Sequence, residues 1–507
     1  MLKLLVLETP PGATAKGVGK KMNQLCSRRH MLQSSAFGLS SMALAHLLQR
    51  DGLLAAETES PTKPELEEKS YDLLPKESPR PPRARAMISM LMLGGPSQID
   101  LFDPKPELVK RHGEDFPGDV KFDNPAQASR EIMKPAWRFH HRGECGMELS
   151  ELLPHLGQIA DSITLIRSMH TGVNNHVPSN YALNTGTDKK GRPVLGSWLL
   201  CALGSETQDL PGYVALTDPR GLPLLGGENW SHGRLPSIYQ GTLVRPTEPR
   251  IFNLVAPEHL RGPVRKAQLA LLERLNREHQ EQHPGENDLD ARIASYRLAA
   301  RMQSAAREAF DVTQETAATH KMYGLDQEVT RDYGTRCLIA RRLVERGVRF
   351  VKIMCQGQVW DHHGSILTAL PERCREIDQP AAALVTDLEQ RGLLDSTIVH
   401  WGGEMGRLPV IQFQDGLTNR DKVGRDHNTY GFSQWVAGGG FKSGYVHGAT
   451  DEFSHYAVED IVHHYDWLAT LLHQFGLDHQ RLRFRIGPRE LRLVEHDEAR
   501  VVSELLV

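Results

Sequence analysis

Met87-Ile88-Ser89-Met90-Leu91-Met92-Leu93 is a largely apolar run that stops at Gly94-Gly95-Pro96. A run of this length, closed by glycine and proline, suits a strand buried on both faces. Such a strand needs a covering layer above and another below. Similar short runs recur at 162–166, 348–354, 397–401 and 434–437. Helical patterns lie between them. Residues 336–346 (RCLIARRLVER) are amphipathic and end at Gly347, directly before the 348–354 run. Residues 378–390 read as another helix, with Gly392 as its stop and Ser396 opening the next strand. Helix alternating with buried strand predicts an α/β fold: a mostly parallel central sheet flanked by helices. Residues 257–330, rich in Ala, Glu, Gln, Arg and Leu, read as a helical insertion of two or three helices that either stands apart or caps the site.

The bulk composition narrows the function. Of 507 residues, 39% are hydrophobic and 24% charged, and the formal net charge is -3. That balance gives no electrostatic case for nucleic acid or an anionic membrane. Histidine is the outlier, with 24 copies, some adjacent, as at His140–His141, His362–His363 and His463–His464. Imidazole is the commonest metal ligand and the usual acid–base group near neutral pH. Six cysteines show no C-x-x-C spacing, which argues against a zinc ribbon or redox motif.

The amino terminus reads as an address. Ser27-Arg28-Arg29-His30-Met31-Leu32 has the form of a twin-arginine export motif, and residues 34–48 follow as a mildly apolar stretch. That stretch is too short and too polar for a stable membrane span. The expected organisation is a signal region over 1–50, a disordered linker over 51–85 and an α/β domain over 86–495. The linker assignment rests on its Pro, Glu, Lys and Arg content. The expected location is periplasmic or extracellular, with the twin-arginine machinery as an export partner.

Most chemistry-bearing residues stand just after the predicted strands, where open parallel sheets bind ligands. Asp100 and Asp103 follow the first run, Asp361, His362 and His363 the 348–354 run, and Glu404 the 397–401 run. Asp426 and His427 are the exception, since they precede the 434–437 run. In extended chain Asp361 and His363 share one face and His362 takes the other. A carboxylate and an imidazole from one loop make a sensible half-site for a metal. Glu404 lies in a glycine-rich turn beside Arg407, whose planar fork suits an anionic substrate. Asn174-Asn175-His176 supplies a further imidazole ahead of a helix. Trp360 and Trp401 are expected to pack as a hydrophobic wall.

Seven segments carry a resemblance: GGPSQIDLFDPKP (94–106), MHTGVNNHVPSNYALNTG (169–186), LPSIYQGT (235–242), RRLVERGVRF (341–350), WDHHG (360–364), IVHWGGEMGR (398–407) and GRDHNTYGFSQWVAGGGFKSGYVHGATDE (424–452). Together they resemble the domain-of-unknown-function family 1501, which is sulfatase-like and belongs to the alkaline phosphatase-like superfamily. The resemblance implies a metal-dependent hydrolase of sulfate or phosphate esters, with divalent ions (Zn, Mn, Ca or Mg) at the strand ends. It implies a small-molecule or polysaccharide ester as substrate. By its motifs, Asp100, Asp361, His363, Glu404 and His427 would be metal ligands, with Asp103 competing with Asp100. Arg407 would neutralise the ester oxyanion. The superfamily's nucleophile position falls on His176, which is no ordinary ester nucleophile, and Met405 replaces a ligand histidine. Two routes remain: a water activated by the metal, or His176 acting as a ligand or proton donor. Ser179 and Thr171 are the nearest hydroxyls. A second class stands beside this one, a non-catalytic binding or structural protein that keeps the fold.

Overall fold

The computed structural model describes residues 71–251, 257–283, 287–413 and 419–507. The twin-arginine motif, the apolar stretch behind it and linker residues 51–70 lie outside the described residues.

The apolar runs form the central sheet. Its strands are β1 (Ala86–Leu91), β2 (Ile163–His170), β3 (Tyr213–Leu216), β4 (Thr242–Val244), β5 (Phe350–Met354), β6 (Thr397–Gly402), β7 (Phe432–Ala437), β8 (Tyr445–His447) and β9 (Val462–His463). Their spatial order is β8-β2-β7-β6-β1-β5-β3-β4, with β9 also paired to β2. Every pairing is parallel except the two made by β7, which runs antiparallel to β2 and β6. The fold is thus α/β with a mostly parallel sheet.

The sheet is covered on both faces, which is why its strands read as unbroken apolar runs. Along β1 the side chains alternate. Ile88 and Met90 join the core beneath the helices Glu328–Glu345 and Ile366–Gln390, while Met87 and Leu91 join the core beneath Leu195–Leu203 and His464–Gln474. Trp360 and Trp401 are fully buried and meet edge to face, with ring centroids 5.8 Å apart. The region 257–330 contains the helices Pro263–Gln282, Asn287–Phe310 and Ala317–Met322. The middle one packs on the 3-10 turn Ser237–Tyr239 and on Glu328–Glu345, so it lies on the scaffold rather than over the strand ends described below. All five described cysteines are free. Among the described residues no helix is long and apolar enough to cross a membrane.

Two expected boundaries shift. Residues 71–85 are seated on the domain: Lys76 donates its backbone N–H to Leu203, Arg80 to Gly476, Ala84 to Gln474 and Arg85 to Ser396. Their charged composition suggests a linker, but backbone donors need acceptors rather than apolar side chains, and the domain surface supplies them. At the other end, Lys442 donates to Leu505 and Leu505 is fully buried, so packing continues past residue 495.

Candidate metal centre

The reversal of β7 explains why two candidate residues precede a strand. Because β7 is antiparallel, its amino end lies at the edge where its neighbours have their carboxyl ends. His427 therefore reaches the same edge as Asp361 after β5, Glu404 after β6 and His176 after β2. His176 opens the helix His176–Thr185, whose N-cap Asn175 accepts from the Val177 N–H. The loop after β1 lets these segments close in. Gly94 has φ +109°, and a Cβ there would stand 2.5 Å from Asp361 N. Only glycine fits that approach.

Ligand-type atoms of His176, Asp361, His363 and His427 all lie within 4.8 Å of one another. The three imidazoles point their Nε2 atoms at one carboxylate. His176 Nε2 is 3.2 Å from Asp361 Oδ2, and His363 Nε2 and His427 Nε2 are 3.0 and 3.4 Å from Oδ1. His176 Nε2 and His427 Nε2 are buried and lack the alignment of a hydrogen bond. Burying such atoms without a partner is costly, so orphaned nitrogens converging on a carboxylate fit a cation between them. His362, between two of these residues, points away; burial lowers its pKa to about 3, and both its nitrogens lack a hydrogen-bond partner.

The outer ends of two rings are fixed. His176 Nδ1–H donates to Glu404 Oε1 at 2.6 Å, and His363 Nδ1–H donates to Gln412 Oε1 at 2.6 Å. Committing Nδ1 to an acceptor leaves the Nε2 lone pair for a metal. Asp361 is held by Gln358 Nε2 (2.7 Å) and Arg407 Nη2 (2.7 Å). Burial opposes its charge, but Arg407 and the three imidazoles outweigh that and hold the carboxyl far below the usual carboxylate range. On His176 burial likewise opposes charge, yet Asp361 and Glu404 together push the ring up to about 9. The centre attracts positive charge, and a divalent ion competes with the proton for the same lone pair. Three nitrogens and a carboxylate oxygen suit Zn or Mn; Ca and Mg prefer oxygen-rich sets.

Four expected roles change. Asp100 is not at the centre: it is 1% exposed and pairs with Arg425 Nε at 2.8 Å while also accepting from Ser97 Oγ at 2.6 Å. Arg425, which is fully buried, takes up the carboxylate. Asp103, its competitor, ties down a loop through Thr450 and Ser454 and pairs with Lys105 at 3.1 Å. Glu404 is fully buried, accepts the Gly94 N–H at 2.9 Å and contacts His176, so it stands behind a ligand rather than being one. Arg407 is fully buried, and its guanidinium donates to the carbonyls of Gly94, Gly95, Trp360 and Arg425 as well as to Asp361. It orients Asp361, and its guanidinium is taken up by protein acceptors. His176, expected as a catalytic residue, stands among the candidate ligands. Gln358 and Gln412 carried no sequence signal, since a lone amide has no motif.

The fold and the site define a mixed α/β protein with a candidate three-histidine, one-carboxylate metal centre at the carboxyl edge of its sheet. Over residues 84–506 the chain matches the family described as "Protein of unknown function (DUF1501)", and it belongs to that family. Among solved structures it is similar to the lipoteichoic acid synthase LtaP from Listeria monocytogenes, at 9% identity and TM-score 0.31, over 78% of this chain and 73% of that one. It is also similar to the PsFucS1 sulfatase from Pseudoalteromonas sp., at 16% identity and TM-score 0.28, over 64% and 62% of the two chains. The alkaline phosphatase from the Antarctic bacterium TAB5 is similar at 8% identity and TM-score 0.29, over 70% and 92%. Likeness this distant says nothing about chemistry. No curated protein matches the chain.

Proposed function

We propose that this protein is an exported, metal-dependent hydrolase of sulfate or phosphate esters. The observation that carries the reading is the convergence of three imidazole Nε2 atoms on Asp361, two of them buried without a hydrogen bond. A divalent ion bound there would supply a Lewis acid that polarises an ester oxygen and lowers the pKa of water. The chain's own residues do the holding. Asp361 anchors the group, Glu404 and Gln412 fix two ring orientations, and Arg407 with Gln358 fixes Asp361. The side chains of His363 and Asp361 are 25% and 11% exposed, against 8% and 3% for His176 and His427, so the approach is from the His363 side.

One observation favours the non-catalytic reading. Ser179 is fully buried and donates its hydroxyl to the Glu404 carbonyl at 2.8 Å, and Thr171 is 6% exposed. Neither hydroxyl is placed to attack an ester. The test is metal content of the purified protein, followed by turnover of aryl sulfate and aryl phosphate. Bound metal with turnover of either ester supports the hydrolase. Bound metal without turnover of any ester, or metal-free protein without turnover, overturns the hydrolase and leaves the non-catalytic binding or structural reading. Export has its own test: Arg28→Lys with Arg29→Lys should hold the protein in the cytoplasm on fractionation.

A further inference from the structure

We propose that the chain holds a second divalent cation on the outer side of His427, between Asp123, Asp426 and His427 Nδ1. Ligand-type atoms of these three residues lie within 4.8 Å of one another. Two independent observations make this more than an acidic cluster.

The first is His427 itself. It is 3% exposed, and its Nδ1 has no hydrogen-bond partner. The corresponding atoms of His176 and His363 are both committed, to Glu404 and Gln412. His427 Nδ1 instead faces Asp123 Oδ2 at 3.9 Å, too far for a hydrogen bond. That gap suits an ion better than a proton.

The second is Asp426. It is 1% exposed and accepts the backbone N–H groups of His427 (2.7 Å), Asp123 (2.9 Å) and Asn124 (3.3 Å). Its one side-chain ion partner among the described residues is the ring of His363, at 3.7 Å. No Lys or Arg pairs with it there. Two of these N–H groups go to Oδ2 and only that of His427 to Oδ1, so Oδ1 keeps a lone pair for a cation beside the second carboxylate of Asp123. Asp123, with a side chain 37% exposed, leaves the group open to ions from solvent.

Two carboxylates and one imidazole nitrogen suit Zn or Mn. This outer group differs from any second site built on Asp100 and Glu404, which Arg425 and His176 already engage. An ion on each side would take both nitrogens of His427, whose last ring proton would then pass to solvent. The outer ion would also tie the loop carrying Asp123 to the inner centre.

The test titrates metal-stripped full-length protein with Mn2+ alone, and separately with Zn2+ alone, by calorimetry. Paramagnetic resonance of the Mn2+ form reports coupling between ions. The expected result is two ions per chain and a coupled signal, falling to one uncoupled ion in Asp123→Ala. That substitution removes an exposed side chain and leaves the fold alone. His176→Ala should keep the outer ion and weaken the inner one. Two ions persisting in Asp123→Ala would overturn the outer site, as would one ion in the wild type that Asp123→Ala retains and His176→Ala loses. The latter result leaves the inner centre standing, whereas a wild type that binds no ion overturns both.

Discussion

Asp100 and Asp361 are both carboxylates near the carboxyl edge of one sheet, and both meet an arginine. At Asp100 the arrangement is closed. Arg425 and Ser97 Oγ engage one oxygen, and the Ala136 N–H, at 3.3 Å, reaches the other. At Asp361 it is open. An arginine and a glutamine fix the carboxylate, while three imidazoles gather around it, two with orphaned Nε2 atoms. The lesson is that burial and charge do not separate a structural carboxylate from a metal ligand. Satisfaction does: a saturated group has nothing left to offer a cation.

The sharpest way to break this comparison is to remove each carboxylate. Asp100→Ala should destabilise the fold by about 3–5 kcal/mol, because it strands a buried guanidinium. Chemical denaturation checks this, and a loss under about 1 kcal/mol would mean that Arg425 finds other partners. Asp361→Ala should act on the metal as well as on the fold. It should weaken metal binding by more than about 100-fold, beyond what losing an outer partner costs. In metal-free protein it should also lower the denaturation midpoint, since it takes a partner from the buried Arg407 and from Gln358. Calorimetric titration with Zn2+ and denaturation of the stripped protein read the two effects.

A smaller effect sharpens the distinction between ligand and support. Glu404→Gln keeps an acceptor for the His176 N–H but removes the charge. It should weaken Zn2+ binding by about 10- to 100-fold, in the range of outer-partner losses, rather than abolish it. Complete loss would make Glu404 a ligand after all.

How far the sequence reveals this comparison depends on the range of the interaction. The strands were readable because a double-covered strand shows as a local apolar run, as in Met87–Leu93. WDHHG was readable because two donors on one face of one loop are also local. The role of Asp100 was not. Its partner Arg425 comes from 325 positions away, and nothing around either residue announces the meeting. Arg407 misled for the same reason: the carbonyls that absorb it come from loops after β1 and β5 and from the segment before β7. The antiparallel reversal of β7, which brings His427 to the centre, is a fact of topology that no local pattern carries.

Lys352 extends the comparison to a buried cation with no carboxylate. It lies on β5, fully buried, and donates to Asn184 Oδ1 and to the Asn229 carbonyl. Burial alone lowers its pKa from 10.5 to about 7. A lysine with a depressed native pKa releases its proton in the folded state while the unfolded chain still binds one. Stability therefore rises with pH from about 7 up to the unfolded value. The expected gain is about 1 kcal/mol between pH 7 and pH 8, and Lys352→Met should lose that slope. Paired denaturation curves at the two pH values measure it. Equal slopes in wild type and variant would show that Lys352 keeps its charge inside the sheet, held by amide oxygens alone.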